Sequence, residues 1–219
     1  MRVYLKLSSN KTLVDFNYQS RLVGTLHKWI GNNELHGKQS LFSMSWLSGG
    51  KALGSKGLEF PNGAQWFISA YDEDLIKKIV SGVMLAPEVS FGMKVADITL
   101  RDTPEFNEET RFFLGSPVLV KRNMNEKQRH FTYLEADTDT YLTETIQHKL
   151  SLAGLPSDGI SVRFDRSDGR AKTKLVTYRG VQNKANYCPV IINGTPQQIG
   201  FAWNVGIGNS TGIGFGSLS

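Results

Sequence analysis

Glycine recurs at positions 206, 208, 212, 214 and 216, interleaved with Val205, Ile207, Ile213, Phe215 and Leu218. No other segment constrains the fold as strongly. Glycine at this density opens positive φ and lets another stretch of backbone approach closely. The apolar residues between the glycines demand burial, which argues against a low-complexity tail. The segment carries no charge, so it would meet an anion only through N–H dipoles, as backbone concavities do. Two phosphate-loop readings fail on spacing. A Walker-type loop ends in Gly-Lys-Ser/Thr, which is missing here. A dinucleotide fingerprint needs a different glycine spacing and a βαβ unit after it.

Positive charge lies just upstream. Arg163, Arg166, Arg170, Lys172, Lys174, Arg179 and Lys184 face only Asp165 and Asp168, a local excess equal to the +5 of the whole 219-residue chain. No charged side chain follows Lys184. A local basic stripe is the electrostatic footprint of a phosphate-rich partner, although a solvated strand face has the same composition. On a strand from Arg170 to Tyr178 alternate residues share a face, so Arg170, Lys172 and Lys174 would line one side, with Arg163 and Arg179 extending the patch.

Periodicity supplies the element order. Residues 2–6 alternate as a strand. Leu22, Leu26 and Ile30 form one stripe of a helix over 18–30. Residues 41–47 read as a short strand or irregular segment, and 65–70 as a strand. Asp72 caps a second helix carrying Leu75, Ile76, Ile79 and Val80, and residues 94–100 alternate again. The order β-α-β-β-α-β is ferredoxin-like. It recurs loosely with strands over 116–122, 160–164, 172–178, 187–192 and 199–203 and a helix over 139–152. The expected fold class is α+β, with two tandem ferredoxin-like (RRM-like) domains and antiparallel sheets. The domains would span 1–110 and 111–219, with a charged linker between Pro104 and Ser116.

The single cysteine, Cys188, excludes an internal disulfide framework and a cysteine-rich zinc site. There is no apolar run of spanning length, and residues 1–6 alternate rather than form the apolar core of a signal peptide. A soluble cytoplasmic protein without a membrane partner is expected.

The tail ends Gly212-Ile213-Gly214-Phe215-Gly216, and this resembles the glycine-rich loop of the CRISPR-associated repeat-processing endoribonucleases, the Cas-six family. Residues 65–70 (QWFISA) before an Asp-capped helix, residues 113–121 (FLGSPVLVK) and residues 186–190 (NYCPV) also resemble the family, in its order. The resemblance covers essentially the whole chain. It implies two ferredoxin-like domains, CRISPR repeat RNA as partner and one cleavage per repeat. Other CRISPR effector subunits are further partners it allows, with the chain acting as a monomer or homodimer.

Metal-independent RNA cleavage needs a base for the 2′-OH, an acid for the leaving 5′-oxygen and a donor or cation at the phosphorane. Histidine suits either proton transfer. The resemblance implies that His36, just after the first helix, and His27, on it, are catalytic. Lys38 and Lys51 are candidate cations by proximity; Ser40 stands where the family's lysine is expected. His130 is expected at a hairpin edge and His148 in solvent. Asp72, Glu73 and Asp74 read as a helix start, and no acidic or histidine set has metal-ligand spacing, so neither metal nor cofactor is expected. Gly206, Gly208, Gly212, Gly214 and Gly216 join the basic strand in the expected RNA surface. A non-catalytic RNA-binding subunit of a CRISPR surveillance complex is the alternative. A generic RRM-like protein should show the aromatic RNP signature, which the chain lacks.

Overall fold

A computed structural model describes residues 1–31, 39–124 and 127–219. His36 and Lys38 lie outside the described residues. The N-terminal half runs β1 (Arg2–Leu7), α1 (Gln19–Ile30), β2 (Phe42–Met44), β3 (Lys51–Ala52), β4 (Leu58–Glu59), β5 (Ala64–Ala70), α2 (Glu73–Leu85) and β6 (Val95–Arg101). Its four-stranded sheet has the order β2-β5-β1-β6, with every neighbouring pair antiparallel. Alternation on β1 turns Val3, Leu5 and Leu7 into the core. They meet Leu22 and Leu26 of α1 and Ile76 and Ile79 of α2. Asp72 accepts a hydrogen bond from the Asp74 N–H and starts α2. Gly82 lets the two helices touch, since a Cβ there would sit 2.5 Å from Trp29 Cα. The β3–β4 hairpin is inserted between the second and third strands of the ferredoxin-like pattern.

The C-terminal half runs β7 (Glu109–Phe112), β8 (Lys121–Met124), β9 (Lys127–His130), α3 (Thr138–Leu152), β10 (Ser161–Phe164), β11 (Lys172–Tyr178), β12 (Val181–Tyr187), β13 (Val190–Asn193) and α4 (Pro196–Val205). Three strands form an antiparallel sheet in the order β10-β13-β7. The tail takes the fourth position beside the chain that follows β7. Leu218 bridges Leu114, the Gly115 N–H donates to Ser217 O at 2.8 Å, and the Ser219 N–H to Phe113 O at 2.9 Å. The result is a second ferredoxin-like unit whose last strand is irregular. Two hairpins are added to it, β8–β9 ahead of α3 and β11–β12 between β10 and β13.

Three sequence expectations change. Strand β7 lies inside the stretch read as linker, because the polar Glu109-Thr110-Arg111 conceals a strand that buries only Phe112. Residues 116–122 form isolated bridges at Val118 and Leu119 before β8, not one strand. Residues 199–203 are helical, not extended. Thr195 and Gln198 form a reciprocal capping box with Pro196 in the first turn. Every residue from Gln198 to Val205 is buried, so α4 has no polar face to mark its period.

Two buried cations lie where the halves meet. The Arg2 guanidinium lies between the Phe67 ring at 4.0 Å and the Trp203 ring at 3.5 Å. It donates to Ser69 Oγ, Trp203 O and Leu218 O at 2.8, 3.0 and 2.8 Å. Among the described residues no carboxylate pairs with it. Lys149 reaches from α3 to the carboxyl end of α4, donating to Val205 O at 3.1 Å, Gly206 O at 3.2 Å and Thr211 Oγ1 at 3.0 Å. Thr211 Oγ1 in turn donates to Phe42 O of β2 at 2.9 Å.

Candidate nucleic-acid interface

The tail leaves α4 at Gly206 (φ 69°) and closes on itself. The Ile207 N–H donates to Gly216 O at 2.9 Å, the Gly216 N–H to Pro117 O at 2.8 Å and the Asn209 N–H to Leu119 O at 2.7 Å. Gly208, Gly214 and Gly216 also have positive φ, at 68°, 89° and 63°. Gly212 does not; it lies against Ser40 and Phe42. A Cβ at Gly206 would come within 2.6 Å of Gly216 O, and one at Gly208 within 2.5 Å of Leu119 O. The glycines thus serve close packing as well as turning. Most of the tail is buried, and Asn209, Ser210 and Ile213 keep partial exposure. Its 3-10 turn, Thr211–Ile213, packs against β2 and α1.

The tail lies between the N-terminal sheet and the β11–β12 hairpin. Phe215 packs with Val176 and Ala185 of the hairpin and with Leu119. Trp46, just past β2, donates its Nε1–H to Gly214 O at 2.8 Å. Lys172, Lys174 and Val176 share one face of β11. Val176 is buried at its base, the Lys174 ammonium lies 4.5 Å from the Trp46 ring, and Lys172 lies 6.0 Å from the Tyr187 ring. Burial, and then Lys172, push the Lys174 ammonium below its ordinary pKa. Below this face lies a cleft of about 430 Å³ lined by Tyr4, Trp46, Phe67, Leu114 and Tyr187. Arg179 occupies the hairpin turn with φ 47°, and the neighbouring Tyr178 touches the N-terminal core.

The arginines of the basic stretch are differently placed. Arg163 is 3.9 Å from Glu109, Arg166 is 2.6 Å from Asp139, and Arg170 is 2.8 Å from Asp168. Arg111 bonds Asp165 and Asp168 at 2.6 and 2.8 Å. The Arg170 guanidinium and backbone N–H, and then the Arg111 guanidinium, hold the Asp168 carboxyl well below the usual range. Among the described residues Lys172, Lys174 and Arg179 have no carboxylate within ion-pair distance. Sequence reasoning missed Trp46 and Lys149. Position 149 falls on the inward stripe of its helix, but the role of each residue is defined by partners far along the chain, which no local pattern signals.

His27 is half-buried in the last turn of α1, beside exposed Lys28. Lys51 is exposed on β3, whose partner β4 bridges Val14 ahead of α1. His130 lies on β9, where its Nδ1 accepts weakly from the Lys184 N–H at 3.5 Å; burial, and then Lys121, lower its pKa. His148 is exposed on α3. Among the described residues no three His, Cys, Asp or Glu side chains gather as a metal site.

The geometry defines a class: a tandem ferredoxin-like protein whose second unit is closed by a glycine-rich segment and carries a basic hairpin over an aromatic cleft. The chain belongs to the Cas6 family of CRISPR RNA-processing proteins, since residues 101–219 match the family model for CRISPR associated protein Cas6, C-terminal. No functionally curated protein matches the sequence. Solved structures share the fold over the full chain. The product of a Cas6-related gene from Pyrococcus furiosus has a TM-score of 0.86 at 20% identity, covering 100% of this chain and 97% of that one. A RAMP protein described as binding different RNA substrates has a TM-score of 0.85 at 22% identity, covering 100% and 98%. Thermus thermophilus Cse3 bound to an RNA representing a pre-cleavage complex has a TM-score of 0.54 at 12% identity, covering 100% and 98%. No helix among the described residues is long and apolar enough to cross a membrane.

Proposed function

We propose that this protein binds CRISPR repeat RNA and cuts it at one site without a metal ion. One observation carries the reading: the glycine-rich tail seats its 3-10 turn against α1, the helix bearing His27, and against β2. Its other side holds the hairpin with Lys172, Lys174 and Arg179. Backbone tracking by the hairpin and proton transfer beside α1 then fall on one continuous surface. The RNA complexes among proteins of the same fold support the choice of partner. In the proposed reaction the ribose 2′-oxygen bonds to phosphorus as its proton passes to a base, and the P–O5′ bond breaks as an acid protonates the leaving oxygen. The products are a 2′,3′-cyclic phosphate and a 5′-OH. His36 and His27 are the proposed proton carriers, and Lys38 and Lys51 the candidate cations for the phosphorane.

The test is single-turnover cleavage of the adjacent repeat RNA in EDTA. Wild type is expected to cut, and His36→Ala to bind normally but cut roughly 10²–10⁴-fold more slowly. Unchanged rates in both His36→Ala and His27→Ala, or an absolute need for Mg²⁺, overturn the mechanism. Tight binding with no cleavage by wild type would make the protein an RNA-binding subunit instead.

A further inference from the structure

The outer edge of β6 forms no ladder with any described strand, for β6 ends the order β2-β5-β1-β6. The hydrogen-bond parity of the sheet shows which of its groups face outward. The Ser45 N–H donates to Phe67 O, so Phe67 points toward β2, whereas the Ala70 N–H donates to Met1 O, so Ala70 points toward β1. Alternation from there across the registered pairs turns Tyr4, and with it Thr99, into the β1–β6 ladder. Ile98 and Leu100 therefore direct their N–H and C=O groups outward. The Ile98 N–H confirms this: it donates at 2.9 Å to the Oδ1 of its own neighbour, Asp97. Nearer the start of the strand, the Val95 N–H is already bonded to Pro87 O, so the free edge is the stretch from Ile98 onward. Leu100 is 51% exposed.

We propose that two copies of the chain join through this edge, antiparallel about a twofold axis at Thr99, making one eight-stranded sheet. Parity permits this register, since only paired outward residues can exchange hydrogen bonds, and the opposite charges of Asp97 and Arg101 select it among those parity allows. Ile98 then faces Leu100 of the partner copy, and each such pair exchanges two N–H···O=C bonds. The apolar pair covers Leu100 on the helix face. On the opposite face the non-hydrogen-bonded pairs bring side chains closest. There Thr99 meets its own copy, and Asp97 meets Arg101 of the other chain, twice by symmetry. Both members of that pair are exposed here. The edge is thus self-complementary in hydrogen bonding, shape and charge, whereas an edge guarded against association carries uncompensated charge. Pairing frees the Ile98 N–H from Asp97 and gives the carboxylate a guanidinium instead.

Sedimentation velocity across a concentration series, on the full chain without RNA, tests this. Wild type is expected to dimerise. Asp97→Arg and Arg101→Asp should each weaken the dimer by about tenfold or more, because like charges then face each other twice. The double variant Asp97→Arg/Arg101→Asp should restore it. Hydrogen exchange adds a readout that misfolding cannot mimic. The Ile98 and Leu100 amides should slow as concentration rises, while the Thr99 amide, bonded within the sheet, stays unchanged. A wild type that remains monomeric throughout, single variants that dimerise like wild type, or a dimer that leaves the Ile98 and Leu100 amides fast would each overturn the proposal.

Discussion

Lys149 is a fully buried lysine with no carboxylate beside it among the described residues. Its three ammonium protons meet three acceptors at the carboxyl end of α4, the negative end of that helix. Burial lowers its pKa from the ordinary 10.5 to about 7. The unfolded chain therefore holds this proton across a window in which the folded protein has released it. Stability gains from this group as pH rises from about 7 toward 10.5, by at most about 1.4 kcal/mol per pH unit. Lys149→Met should destabilise the protein by about 3 kcal/mol through its orphaned carbonyls. The gap to wild type should widen on going from pH 7 to pH 9, as measured by denaturant titration at each pH. Little of this was legible beforehand. Position 149 fits the stripe of Leu142, Ile146 and Leu150, but a lysine there reads as a stem lying along apolar surface. Only acceptors more than fifty residues away make it a buried tie.

At the scale of the element, the β11–β12 hairpin separates charges that composition lumps together. Arg163, Arg166 and Arg170 are held by carboxylates, and Lys172, Lys174 and Arg179 are not. Lys172→Ala and Lys174→Ala should each lower RNA affinity and reduce the slope of log affinity against log salt by about 0.7–0.9. Arg170→Ala should change both less, because its charge is already compensated by Asp168. Fluorescence anisotropy with a labelled repeat RNA at several salt concentrations measures both quantities. The strand and its alternation were readable from sequence, because β11 is long and one of its faces meets solvent. The helices α1 and α2 were readable for the same reason: each has a polar face. Helix α4 and strand β7 were not. One is buried all round, and the other hides a single core residue among charges.

Across the whole molecule, two large hydrophobic cores are joined by the small apolar cluster around Phe215 and by polar ties. Arg2 carries much of that tie, clamped between Phe67 of one half and Trp203 of the other. Cation–π stacking of a desolvated guanidinium contributes about 2 kcal/mol or more, and the carbonyls of Trp203 and Leu218 lose their donor without it. Wild type should therefore unfold in one transition, with tryptophan fluorescence and far-UV circular dichroism coinciding. In Arg2→Met the two probes should separate into two transitions. Coincident curves in that variant would show that the remaining contacts suffice. The tandem architecture was legible from element order, and the glycine-rich tail marked its own importance. Its place as a wedge between the halves was not legible, because the contacts that define it join residues about two hundred positions apart.

That separation has a consequence for how the protein is made. Translation delivers the tail after every other described element, yet the tail fills the last position of the second sheet and abuts β2 of the first. Until Leu218 arrives, the Arg2 guanidinium lacks one of its acceptors. The nascent chain thus carries a hydrated arginine at a site the finished protein keeps dry. Closure between the halves therefore waits for the tail, and a chain cut before Gly206 would lack both the last position of the second sheet and an acceptor for Arg2.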